Sequence, residues 1–143
     1  MSAEQINEEI RGIKHQFMAY RNGIVADTLR AAGTPHKIIF GLQLPQIAEI
    51  SRNVIHSKEL SEALWNDTAV RESRLLACRV YPIEEMDYEK ALEMAISVMN
   101  REEADILSFF LLRKLHFAPQ LLDTLCSKYP ASYITEALRR NLE

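Results

Sequence analysis

The chain has 143 residues, 48% of them apolar and 26% charged, with 17 Lys+Arg against 20 Asp+Glu and a formal net charge of -3. That is one domain's length with ample core material, which excludes an intrinsically disordered segment, and four Gly and five Pro exclude collagen-like or linker compositions. The longest apolar stretches, such as Ile106–Leu112, fall far short of the roughly 20 residues a bilayer crossing needs, and the N-terminus lacks a secretory pattern, so a cytoplasmic chain with no membrane partner is expected.

Apolar residues recur at three- and four-residue steps nearly everywhere and period-two alternation is almost absent, so the predicted class is all-α. Ser2 with Gln5 forms a capping-box start for a first helix running towards Tyr20, broken by Asn22-Gly23. A second spans Ile24 to Ala32 and is closed by Gly33. Thr34 to Gly41 reads as a loop whose Ile38, Ile39 and Phe40 pack inward. Pro45 suits the first turn of a third helix, through about Ile55, because proline has no N–H to lose there. Ser57 caps a fourth helix carrying Leu60, Leu64 and Trp65, and Asn66-Asp67 starts a fifth that Pro82 stops after Val80. Asp87 caps a sixth, Tyr88 to Met99. Asn100 with Glu103 starts a seventh, Arg101 to Leu115, apolar on nearly all sides and therefore central. Pro119 opens an eighth ending near Lys128, and a ninth follows Tyr129-Pro130, with Ile134, Ala137, Leu138 and Leu142 on one side and Thr135, Glu136, Arg139 and Arg140 on the other.

From Leu60 onward these helices come in pairs that register. Leu64 and Leu76, Ala95 and Leu107, and Leu125 and Ala137 are each 12 residues apart, and successive pairs are offset by 31 and then 30 residues. A stacked array of helical hairpins gives such spacing, since one hairpin cannot bury its apolar face alone. The expected organisation is a single domain over 1–143, with N-terminal helices over 1–56 and three helix-hairpin repeats over 57–143.

The run Phe40-Gly41-Leu42-Gln43-Leu44-Pro45-Gln46-Ile47-Ala48-Glu49-Ile50, then Leu64-Trp65, then Arg71-Glu72 through Leu75-Leu76-Ala77, resembles the HEAT-like repeat DNA alkylation repair family, the AlkD-type DNA glycosylases. The resemblance implies a HEAT-like α-α superhelix of about nine helices that cups double-stranded DNA and hydrolyses the glycosidic bond of N3- or N7-alkylated purines. It places the catalytic carboxylate at Asp105, where the family's preceding tryptophan falls on Arg101 instead. That departure, together with the absence of a later repeat, points to an N-glycosylase activity weakened or lost. Read as a residue, Asp105 is a first-turn acid that complements the helix dipole and pairs with Arg101 one turn back. Trp65 matches a structural position of the family pattern.

Charge divides along the chain. Residues 10–58 hold seven Lys/Arg against two acids, whereas residues 84–105 hold eight acids against Lys90 and Arg101. Lys37, Arg71, Arg74, Arg113 and Lys114 are the candidate DNA-binding cations, with Arg79 beside them. The acidic block favours a protein–protein interaction scaffold as the alternative, and the short length admits a homodimer. His15, His36, His56 and His116 lack metal-site spacing, Cys78 and Cys126 read as reduced core thiols, and no phosphate loop or nucleophile elbow occurs, so neither a metal nor another cofactor is expected.

Overall fold

In a computed structural model describing residues 1–143, the chain forms nine α-helices and no strand, with a single isolated β-bridge between Ile38 and Val70. No helix is long and apolar enough to cross a membrane. The helices start where capping chemistry satisfies the first amides. At α1 (Ala3–Ala19) the Ser2 hydroxyl accepts from Gln5 N at 3.2 Å and the Gln5 side chain accepts from Ser2 N at 2.8 Å. The Asn22 side chain accepts from Ile24 N and Val25 N to open α2 (Gly23–Ala31), which ends before Gly33 at φ +102°. Pro45 occupies the first turn of α3 (Leu44–Arg52), and Ser57 caps α4 (Lys58–Asn66).

The next helix, α5 (Arg71–Val80), begins four residues later than expected from Asn66-Asp67. The intervening turn is held elsewhere: Ile38 N donates to Ala69 O at 2.8 Å, and Arg71 N donates to Ile38 O at 3.2 Å, so a loop carbonyl takes one of the orphan amides of the α5 N-terminus. The proline effect at its other end is as expected, with Tyr81 extended at ψ 122°.

A 3-10 turn at Ile83–Glu85 precedes α6 (Tyr88–Ile96), capped by Asp87 and ending three residues short of Met99. At α7 (Arg101–Phe110) the Asn100 side chain accepts from Glu103 N, while the buried Glu103 carboxylate accepts from Met99 N at 2.8 Å. The α-helix stops at Phe110 rather than Leu115. Leu111 leaves helical geometry at φ -130°, ψ -65°, Arg113 Nε donates to Phe109 O, and a 3-10 turn at Leu112–Lys114 follows. Pro119 lies in the first turn of α8 (Ala118–Lys128), and Ser132 caps α9 (Tyr133–Leu142).

The chain condenses into two compact units, Met1–Tyr81 and Pro82–Glu143. In the first, α5 packs on α3 and α4, and α1 packs on α4. Of the α5 residues only Arg79 escapes full burial. In the second, α9 packs on α7 and α8, and α6 on α8. All six residues of the predicted register, Leu64, Leu76, Ala95, Leu107, Leu125 and Ala137, are fully buried. Three expectations fail locally. Ile38 is 45% exposed while His36 is buried, because the β-bridge turns the loop over; Thr135 is buried, its hydroxyl donating to Tyr129 O at 2.7 Å; and Phe109 of α7 is half-exposed.

Candidate functional site

The residues carrying the family resemblance converge in the first unit, and they do so as a buried clamp. Glu72 at the start of α5 is fully buried, and its carboxylate accepts from three consecutive amides, Phe40 N at 3.1 Å, Gly41 N at 3.0 Å and Leu42 N at 3.3 Å. This is a backbone nest occupied by the protein's own anion. Gly41 makes it possible: its φ is +90°, and a Cβ there would lie 2.1 Å from Asn22 O. Arg71 Nη1 donates to Glu72 at 2.8 Å and to Leu42 O at 2.8 Å, so the same dipeptide ties both the charge and the carbonyls of the loop to α5. One helical turn on, the Arg74 guanidinium covers the Trp65 ring at 3.5 Å and donates to Trp65 O at 2.7 Å.

Arg71 and Arg74, two of the candidate DNA-binding cations, are internal. Each is only 2% exposed, and both guanidiniums are consumed by internal partners, because an arginine in this position must be paired to be buried at all. Trp65 is buried beneath Arg74. Arg79 is partly exposed, and burial, then the neighbouring Arg52, hold its pKa below the ordinary arginine value, with Cys78 acting the other way. Lys37, Arg113 and Lys114 are exposed; the Arg113 guanidinium lies over the Phe109 ring at 4.1 Å.

Asp105 lies in the second unit, on the α7 face that meets α9. Its partner is Arg140, whose Nη2 donates to Oδ1 at 2.8 Å, and not Arg101. Arg101 instead extends over the Tyr133 ring, with 5.3 Å from guanidinium carbon to centroid. Contacts 101–133 and 105–140 ascend together on both helices, so α7 and α9 run in the same direction. That alignment explains the change of partner: α9 offers an aromatic face to one residue and a guanidinium to the other. Both members of the Asp105–Arg140 pair are about half exposed, at 46% and 58% of their side chains. The carboxylate is thus accessible, but its charge is compensated by a neighbouring cation.

The second unit also exposes a run of acids in the segment before and along α6. Glu84, Glu85, Asp87, Glu89 and Glu93 all face solvent, and the unit as a whole holds seven Lys/Arg against eleven Asp/Glu. No three His, Cys, Asp or Glu side chains converge as metal ligands would. Cys78 is a buried free thiol, and Cys126 is a partly exposed one with Arg139 Nη2 at 3.2 Å. Comparison of the chain with protein families, with curated proteins and with solved structures finds no match.

Proposed function

We propose that this chain is a HEAT-like helical-hairpin protein, akin to the DNA alkylation repair proteins it resembles, that acts by binding a protein partner and has lost N-glycosylase activity. The observation carrying this reading is the Asp105–Arg140 pair. Glycosidic cleavage of an alkylated purine develops positive charge on the sugar, and the carboxylate beside it must present uncompensated negative charge. A guanidinium 2.8 Å from Asp105 opposes that charge, and position 101 supplies a second cation rather than an aromatic wall.

Support for the array comes from the packing of alternate helices, α6 on α8 and α7 on α9, together with the burial of every register residue. Support for a protein partner over duplex DNA comes from the burial of Arg71 and Arg74 and from the exposed acids of the second unit, which would repel phosphates.

The test is release of 7-methylguanine from methylated duplex DNA by wild type and by Asp105→Asn. No release above the buffer rate is expected from either. Release by the wild type that disappears in Asp105→Asn would overturn the reading and make Asp105 a catalytic residue.

A further inference from the structure

Of the asparagines at 7, 22, 53, 66, 100 and 141, only Asn22 is followed by glycine. An asparagine side-chain amide is open to attack by the backbone nitrogen of the next residue, and a side chain on that residue obstructs the approach. Gly23 has none, and both Asn22 and Gly23 are exposed. Nothing lies within 4 Å of where a Gly23 Cβ would point, so no neighbour blocks rotation of the link between them.

While Asn22 caps α2, the attack is blocked. Asn22 sits at φ -141° and ψ 105°, which turns Gly23 N away from the Asn22 side chain, and Oδ1 accepts from Ile24 N at 3.0 Å and Val25 N at 3.2 Å. Ring closure therefore waits for the first turn of α2 to open. That turn is weakly held. α2 is nine residues long, buries no side chain and leaves Ile24 80% exposed. The hydrogen bonds its side chains make beyond the helix, from Arg30 to His36 O at 3.1 Å and to Lys37 O at 3.4 Å, run to the loop that follows and not to another helix. A helix this short is marginal without packing, and segments with little buried surface open far more often than the core. Asn100 is the contrast, because it caps α7, whose side chains are buried from Glu103 to Ser108, and Arg101 follows it.

We propose that Asn22-Gly23 is a site of spontaneous deamidation and isoaspartate formation, gated by the opening of α2. Gly23 N attacks Asn22 Cγ: the N–Cγ bond forms, the Cγ–Nδ2 bond breaks, and Nδ2 leaves as ammonia with the proton of the Gly23 amide. Water then opens the resulting succinimide. Addition at Cγ gives aspartate, which still caps a helix, whereas addition at the backbone carbonyl gives isoaspartate, which routes the main chain through the former side chain. The second product reaches the clamp. A Cβ on Gly41 would come within 2.1 Å of Asn22 O, and Asn22 N donates to Phe40 O at 2.8 Å, next to the Phe40 and Gly41 amides that Glu72 holds. A main chain lengthened by one carbon at residue 22 displaces that contact. The site does not depend on what the chain binds.

The intact protein is incubated in mildly alkaline buffer, digested, and measured by mass spectrometry for replacement of the amide NH2 by OH, with isoaspartyl methyltransferase labelling to identify the isomer. Modification is expected to accumulate at Asn22 and at none of the other asparagines. Its rate is expected to fall by about tenfold or more in Gly23→Ala, which shields the attacking nitrogen and removes glycine's backbone freedom. Two substitutions within α2 test the gate: Ala26→Gly is expected to raise the rate about fivefold and Thr28→Ala to lower it about twofold, following helix propensity. Circular dichroism verifies that each variant is folded, and Thr28→Ala, at an exposed position, keeps the test if Ala26→Gly does not fold. The isoaspartate form, separated by chromatography, is expected to melt below the unmodified protein. No modification of Asn22, or modification of the other asparagines at a comparable rate, overturns the proposal. Rates indifferent to the α2 substitutions overturn the gate, and equal melting of the two forms overturns the link to the clamp.

Discussion

Two carboxylates in this chain each have an arginine within the four residues before them, and they are physically opposite. Glu72 is fully buried, accepts from three backbone amides and Arg71, and holds the loop to α5. Asp105 is about half exposed and meets Arg140 across water-accessible surface. Replacing Glu72 with Gln removes a buried charge that accepts from three amides and from Arg71, and is expected to destabilise the protein by about 3–5 kcal/mol. Asp105→Asn removes an exposed pair worth less than about 1 kcal/mol. Urea denaturation of the two variants checks both, and equal losses would contradict this division. The arginines follow the same logic. The spacing of Arg71 and Arg74 is visible in the sequence, but whether a guanidinium faces solvent or a tryptophan ring depends on which side of α5 the rest of the chain covers.

At the level of elements, the helix starts were the most legible feature, since a cap requires only residues three or four positions apart. Ser2, Ser57, Asp87 and Asn100 all act as the local pattern indicates. The start of α5 was not legible, because its first amide is satisfied by Ile38, 33 residues earlier in the chain. Glycine shows the same contrast between local and distant causes. Gly12 lies inside α1 with open space where a Cβ would point, so Gly12→Ala is expected to raise stability by about 0.5–1 kcal/mol through helix propensity alone. Gly41 combines φ +90° with the backbone of Asn22 and Ala26 closing over it, so Gly41→Ala is expected to cost about 4 kcal/mol or more, or to prevent folding. Thermal melts of the two variants should move in opposite directions.

For the whole molecule, charge and burial together decide what it can attract. The first unit holds ten Lys/Arg against nine Asp/Glu, but two of those arginines are buried and Lys14 and Arg52 are engaged by Asp67 and Glu49. The second unit carries a net negative charge and displays it. Few cations remain to release counterions from a duplex, so a mobility shift with plain DNA at physiological salt is expected to give an affinity weaker than about 10⁻⁴ M, and a tighter, steeply salt-dependent complex would contradict this.

The sequence by itself determined the all-α class, the nine helices, most of their starting points and the burial of the register residues Leu64 to Ala137. All of these follow from periodicity and capping, which act over a few residues. Only the tertiary structure decided that Arg71 and Glu72 form an internal clamp, and that Asp105 pairs with Arg140 and Arg101 with Tyr133. Each of those pairings joins residues separated by 20 or more positions in sequence, apart from the Arg71–Glu72 contact that the loop around Gly41 completes. The direction in which a charged side chain turns is set by which neighbour can compensate it, and that neighbour is supplied by packing.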